Sequence, residues 1–401
     1  MFNLTNFINK YVIERNTSMF QDDINNNVKE LTQEIHNKSV LVIGGAGTIG
    51  SSFIRALLQF APSSLVVVDI NENGLTELTR DLRSSGKLVP PDYVTYPMNY
   101  ADTVFQKMFT NRNGFDIVAN FSAHKHVRSE KDVYSVQALI ENNVIKARNL
   151  LELLKIHPPK HYFCVSTDKA ANPVNVMGAS KKIMEEMIMA YSQYFPVTTA
   201  RFANVAFSNG SLPAGFLERL SKLQPISAPK DVTRYFVSPD ESGQICMLAC
   251  MLGKNREIYF PKLELKQVKT FSQIASQFLI ENDYKPLECN SEQEALEKAE
   301  ALISGDKNYP VVYFSSNTTG EKPYEEFVTD TETALMDKYE SLGVITSVTA
   351  RPICEIDQVF VLLQTAFDKA DTAKNEIVTI IKDFLGNFDH EEKGNNLDSK
   401  M

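Results

Sequence analysis

Three adjacent side chains of complementary proton chemistry, Thr167, Asp168 and Lys169, follow the apolar run "HYFCV". A carboxyl that holds its proton is a general acid, and an amine that has lost its proton is a general base. For acid–base work near neutrality the carboxyl must keep a proton that such groups ordinarily give up near pH 4. The amine must shed one that it ordinarily keeps to about pH 10. Burial pushes both in the needed direction, while their mutual attraction as an ion pair opposes it. The two therefore titrate as a unit, and the residues alone leave open which of them holds the proton. Further on, "MGASK" sets Met177 one helical turn before Lys181. A thioether neither takes nor gives a proton, so acid–base work here falls to other groups.

A second cluster points to a dinucleotide. "VLVIGGAGTIGSSFIRALL" places Gly44, Gly47 and Gly50 in a turn between a strand and a helix, with Ala46, Thr48 and Ile49 between them. Glycines allow a tight turn and let backbone N–H groups approach a pyrophosphate at the positive end of a helix. The next apolar strand ends at Asp69, about 20 residues past the last glycine, where a carboxylate can hold the adenosine ribose hydroxyls. Asn71 follows closely. The carboxylate repels a 2′-phosphate, which favours NAD, although Arg80 in the next helix leaves NADP open. After the fourth strand, Ser122 and Ala123 are expected at the nicotinamide end. His124 and His126 lack the Cys or carboxylate partners of a metal site, so no metal is expected.

These groups need a scaffold, and the apolar pattern supplies one. "SVLVIGG", "SLVVVDI", "YVTYPM", "DIVANFSA", "HYFCVST" and "VTTARFANV" are short apolar runs separated by amphipathic helical stretches. That alternation predicts an α/β fold, a Rossmann-like doubly wound parallel sheet covered on both faces. Past Asn204 the alternation degrades and prolines punctuate the chain, as in a smaller substrate-binding region capping the sheet's carboxyl end. The expected organisation is a helical arm over residues 1–37, a NAD-binding domain over 38–204, and a mixed substrate-binding region over 205–350 discontinuous with it. A helical tail covers 351–401, its last helix over Glu355–Leu385 with a break. A net charge of −9 disfavours nonspecific nucleic-acid binding. No long apolar run predicts a membrane span, and the five cysteines show no metal spacing. A cytoplasmic, reducing location is expected.

Together, "IGGAGTIG", "NFSAHKHVRSEKD", "STDKAANPVNVMGASK", "RFANVAFSNGS", "VTRYF" and "TTGEKPYEEF" resemble the extended short-chain dehydrogenase/reductases. The resemblance runs from about Ser39 to Phe327. It is specifically to polysaccharide-biosynthesis NDP-sugar 4,6-dehydratases, and within them to the configuration-retaining UDP-N-acetylglucosamine enzymes, which carry Met where the superfamily's Tyr-x-x-x-Lys has Tyr. The resemblance implies a recycled NAD that takes hydride from C4 of the sugar and returns it to C6 after water has left. It gives Asp168 the role of acid toward the C6 hydroxyl, Lys169 that of base at C5, Thr167 a bond to the C4 hydroxyl, and Lys181 the nicotinamide ribose. With Met177 lacking a phenol, Thr167 with a water, or Asp168 itself, is left to take the C4 proton.

The resemblance also places Asn99 by the cofactor, where an acidic residue is usual. Lys125 and His126 face the sugar, and Asn204 and Ser211 the substrate. Arg234 grips the diphosphate with a guanidinium fork, and Glu321 lies by the nucleotide ribose. The implied products feed bacillosamine- and legionaminic-type sugars, and a homo-oligomer is expected. A GDP-linked substrate, a 4-epimerase and a non-catalytic NAD-binding regulator are the alternatives. An epimerase has no use for an acid and base at C6 and C5, and a regulator leaves the Asp168–Lys169 pair unexplained.

Overall fold

Six strands form the backbone of the molecule: β1 (Ser39–Ile43), β2 (Ser64–Asp69), β3 (Asp92–Pro97), β4 (Ile117–Asn120), β5 (His161–Val165) and β6 (Val197–Ala200). The computed structural model describes residues 2–126, 130–264, 267–316, 325–346 and 348–390. The strands are apolar at consecutive positions because both faces are covered. In β1, Val40 and Val42 face one helical layer, and Leu41 and Ile43 face the other. Helices Thr48–Leu57, Glu72–Ser84 and Pro239–Leu252 contribute to the first layer. Helices Thr103–Asn111, Lys146–Ile156 and Val176–Tyr191 contribute to the second. The doubly wound parallel sheet expected from the sequence is present.

The sheet order is β3-β2-β1-β4-β5-β6, continued by Glu257–Pro261, Leu342–Thr346 and Thr333–Leu335. Pairing is parallel through Glu257–Pro261, and the last two strands are antiparallel additions. The order turns back between β1 and β4, and ligands bind where such a turn leaves a crevice. Register brings the carboxyl ends level: Ile43 pairs with Val68 and Asn120, Asn120 with Cys164, and Val165 with Ala200. The turns after β1, β2, β4 and β5 therefore open on one edge.

The sixth strand is shorter than its apolar run. It ends at Ala200, and Asn204–Val205 instead pairs with Thr233–Val237 in a separate three-stranded sheet. Arg201, Phe202 and Ala203 are buried in succession, as befits a chain crossing from one sheet to another. A third small sheet joins Ile226–Pro229, Asn308–Phe314 and Lys285–Glu288. Its core takes in Phe7, Ile8, Val12 and Ile13 from the start of the chain. Farther along the same arm, Phe20, Ile24, Leu31 and Ile35 join the core of the main sheet. At the other end, Ile353–Phe367 and Lys374–Leu385 are two helices broken at residues 368–373, and both pack on Val176–Tyr191.

Arg201 ties these parts together. It is fully buried, and all five of its N–H groups are used. Nε and Nη2 grip the Glu185 carboxylate at 2.9 and 2.7 Å. Nη1 and Nη2 grip Glu332 at 2.7 and 2.8 Å, and Nη1 also donates to the Phe327 carbonyl at 2.9 Å. Burial pushes the Glu185 carboxyl up, but Arg201, Lys182 and Ser166 outweigh it and hold the group below its ordinary value. Removing the guanidinium strands a buried carboxylate. Arg201→Met is expected to lose about 3–5 kcal/mol of unfolding free energy, read from urea titration.

Candidate active site

The dinucleotide end is built from backbone. Gly44 turns with φ of +76°, and a Cβ there would lie 2.7 Å from the Ser122 nitrogen. A Cβ on Gly50 would lie 2.4 Å from the Gly44 carbonyl oxygen. Gly47 caps the helix Thr48–Leu57 and provides no side-chain hydrogen bond, so the first amides of that helix keep their donors. Asp69 braces the turn: Oδ2 accepts from the Ala46 amide at 3.0 Å, and Oδ1 from the Asn71 amide at 2.9 Å. Each carboxylate oxygen retains a lone pair for a ribose hydroxyl. Bare amides at a helix start beside a carboxylate at the next strand end fit a dinucleotide such as NAD.

Other residues expected there have local duties. The Asn71 side chain caps the following helix through the Gly74 amide at 3.0 Å. Asn99 accepts from the Ala101 amide at 3.0 Å. Thr48 Oγ accepts from the Asn209 amide at 3.0 Å, which draws the substrate-side chain over the glycine turn. The Ser122 amide donates to Asn120 Oδ1 at 2.9 Å.

A cavity of about 690 Å³ connects this end to the substrate region, with Ile49, Ala123, Met177 and Lys181 among its walls. Lys181 is buried and donates to the Val165 carbonyl at 2.8 Å. Burial pulls its amine down, against Cys164 and Glu185, which pull it up. Met177 is buried in an apolar cluster with Val136, Leu139 and Ile140, and its amide donates to Glu130 at 3.1 Å.

Thr167, Asp168 and Lys169 line the same cavity, directly beyond β5. Thr167 caps the short turn Asp168–Ala170. Its hydroxyl donates to Asp168 Oδ1 at 2.7 Å, and Lys169 Nζ reaches Oδ1 and Oδ2 at 3.1 and 3.3 Å. The carboxylate is 4% exposed and the lysine 26%, so the carboxyl is enclosed while the amine opens to the cavity.

On the substrate side, Lys125, His126, Asn204 and Ser211 all line the cavity. Lys125 donates to the Asn209 carbonyl at 2.8 Å, and burial lowers its amine. Ser211 caps the helix Leu212–Ser221 through the Ala214 amide. Arg234 is buried, donates to the Thr233 carbonyl at 2.8 Å, and does not line the cavity. The guanidinium on the cavity wall is Arg219, one turn beyond Gly215 and two beyond Ser211 on one helix face. That i, i+4 spacing was the available signal for it. Glu321 lies outside the described residues.

Two further residues carry no local signature. Asn143, in the widened turn Glu141–Ile145, pairs with both backbone groups of His124 and donates to Ser180 at 3.0 Å. It fastens the loop after β4 to the helix bearing Met177 and Lys181. Glu325 is the other: it is buried behind Asn204 and adjoins the Asp168–Lys169 pair.

Gly50→Ala tests the dinucleotide end. Its methyl meets backbone, not a movable side chain, so the turn must shift. NAD affinity by calorimetry is expected to fall at least ~10-fold, about 1.4 kcal/mol.

Among the described residues no helix is long and apolar enough to cross a membrane. The chain is 30% identical, over 82% of its length and 89% of the other's, to a protein of Methanocaldococcus jannaschii named an uncharacterized membrane protein. It is 27% identical over 80% of its length to the capsular polysaccharide biosynthesis protein CapD of Staphylococcus aureus, of which it spans half. Two further relatives carry the names of activities. One is a UDP-N-acetylglucosamine 4,6-dehydratase (inverting) of Campylobacter jejuni, 25% identical over 57% of this chain and 68% of its own. The other is a UDP-glucose 4-epimerase of Rickettsia typhi, 24% identical over 75% and 80%. In fold the chain is similar to Pen from Bacillus thuringiensis, with a TM-score of 0.63, 21% identity, and coverage of 82% of this chain and 98% of that one. The polysaccharide biosynthesis protein family model matches residues 40–347. The chain belongs to that family.

Proposed function

We propose that the chain catalyses NAD-dependent 4,6-dehydration of a nucleotide-linked N-acetylglucosamine, UDP-linked in the first instance, giving the 4-keto-6-deoxy sugar. The observation that carries this reading is the enclosed Asp168 carboxyl, bonded to both Thr167 and Lys169 on a cavity wall shared with Met177 and Lys181. NAD, when bound, accepts the C4 hydride and returns it to C6.

The rest falls to side chains. Thr167 Oγ already donates to Asp168 and accepts from the Lys169 amide at 3.5 Å, which leaves one lone pair for the C4 hydroxyl. As that hydroxyl becomes a carbonyl, its proton passes to Thr167 Oγ while the Thr167 proton passes to Asp168. This takes the place of the missing phenol at Met177. Neutralising Asp168 removes the partner that favours the charge on Lys169, so the amine gives its proton to solvent more readily. The ketone acidifies C5–H. Lys169 takes that proton as Asp168 gives its own to the C6 hydroxyl, and the C6–O bond breaks with release of water. Lys169 then returns a proton to C5. Lys181, held by the Val165 carbonyl, has ammonium protons left for ribose hydroxyls.

The relative named UDP-glucose 4-epimerase supports a second reading, oxidation and reduction at C4 alone. That chemistry leaves Lys169 without a task. A GDP-linked substrate is compatible with either reading. The test is incubation with UDP- and GDP-N-acetylglucosamine, without added NAD, and identification of products by NMR. A 4-keto-6-deoxy sugar is expected. Asp168→Asn and Lys169→Met are each expected to lower its formation by ~10²–10⁴-fold. Full turnover in either variant, or a C4 epimer as product, rejects the dehydratase reading.

A further inference from the structure

The helix Leu212–Ser221 forms part of the cavity wall, and Ser211, Gly215 and Arg219 mark one face of it at one-turn intervals. Gly215 sits inside the helix, where glycine is less favourable than alanine. No neighbouring protein group accounts for it: a Cβ there would meet nothing within 4 Å beyond its own stretch of helix. The helix therefore presents bare backbone to open space at that point. Arg219 follows one turn on. Its carbonyl accepts from the Lys222 amide at 3.2 Å, the Gln224 amide at 2.9 Å and the hydroxyl of the buried Tyr309 at 3.1 Å, so the root of the side chain is fixed. Its guanidinium has no hydrogen bond or ion pair among the described residues. Glu218 beside it pairs instead with Lys222 at 3.7 Å.

We propose, resting on the reading above only for a nucleotide-linked sugar as substrate, that Gly215 and Arg219 form the seat of its diphosphate. The start of this helix belongs to the sugar end, since a Cβ on Gly210 would lie 3.0 Å from His126 Nε2. Arg219 lies about 12 Å farther along the axis than Ser211, at roughly 1.5 Å per residue. Long side chains on a helix lean back toward its N-terminus, so the guanidinium serves the stretch that Gly215 leaves open. The diphosphate is the strongly anionic part of the substrate, and a guanidinium fork can hold two of its oxygens. Other cations have duties already: Lys125 donates to the Asn209 carbonyl, Lys169 to Asp168 and Lys181 to the Val165 carbonyl. Arg234 donates to the Thr233 carbonyl and does not line the cavity. Bare backbone at Gly215 lets a phosphate approach where a side chain would hold it off.

UDP and uridine share base and ribose and differ by the diphosphate, so calorimetry of both on the NAD-saturated protein isolates the contact. The parent is expected to hold UDP at least ~10-fold tighter than uridine. Arg219→Met should weaken UDP by ~10–100-fold and leave uridine within ~2-fold. Arg219→Lys keeps the charge but loses the fork, and should restore part of the difference. A parent that does not distinguish the two ligands, a difference that survives in Arg219→Met, or a loss shared equally by uridine overturns the proposal. So does a fall in NAD affinity in place of UDP affinity, which would give the arginine to the cofactor's pyrophosphate.

Gly215→Leu fills the open space without removing a protein contact. Its denaturation midpoint is expected to be no lower than the parent's, because leucine is the better helix former, while UDP affinity falls at least ~10-fold. A lowered midpoint or parent-like UDP binding overturns the proposal. None of these readouts needs turnover. Should the parent make a C4 epimer or no 4-keto-6-deoxy sugar, the dehydratase reading fails, and the difference between UDP and uridine still decides whether Gly215 and Arg219 seat a diphosphate.

Discussion

A guanidinium with every donor engaged is a geometric constraint as much as an electrostatic one. Arg201 stands at the end of β6, Glu185 on the helix Val176–Tyr191, and Glu332 and Phe327 on a segment remote in sequence. Two bidentate grips and one carbonyl fix three chain segments to one plane. Glu185 also accepts from Ser166, the residue before the Thr167–Lys169 run. Glu325 lies two residues before the Phe327 carbonyl that Arg201 holds. The buried cation thus braces the Thr167–Lys169 run and the segment carrying Glu325 from behind, without lining the cavity. Its two carboxylates make up for the desolvation of Arg201, and Arg201 does the same for theirs, so the network stands only as a whole.

The parts of this design that the sequence made legible are local. The apolar strands, the glycine turn, Asp69 and the Asp168–Lys169 pair each depend on residues within one strand–turn–helix unit. Periodicity and spacing report on such units directly. What stayed hidden depends on pairing across long separations. The run through Asn204 looked like one strand because Phe202, Ala203 and Val205 are apolar, yet the burial of Arg201 diverts the chain after Ala200. In "YEEF", Glu325 and Glu326 look alike. One is buried against Asn204 and Tyr235, while the other accepts from Asn172 at 3.0 Å. Arg234 offered the right group for a diphosphate but is not among the residues that line the cavity, whereas Arg219 is. The local feature that sets Arg219 apart is its i, i+4 spacing from Gly215 and Ser211 on one helix face.

Met177 marks a division of labour. Where a phenol would have to be reached by substrate and tuned by neighbours, a thioether need only fill space. Its surroundings are apolar and nearly sealed, and its cluster includes Val359 and Leu363 of the helix Ile353–Phe367 and Ile377 and Ile381 of the helix Lys374–Leu385. The helix then has two remaining tasks, to present Lys181 and to support Glu185. Both lysine and carboxylate are buried. Asn143 reinforces the helix by joining Ser180 to the loop that carries Lys125 and His126.

In the proposed dehydration, giving proton transfer to the Thr167–Asp168–Lys169 run instead of a phenol concentrates the acid–base steps at one strand end. A tyrosine and a separate acid could titrate independently. A carboxyl and an amine in contact cannot, since each change of charge on one shifts the other. In that proposal the coupling orders the steps: uptake of the C4 proton by the carboxyl would loosen the proton on the amine. The order of events can then follow from electrostatics in a rigid site, with no moving part required.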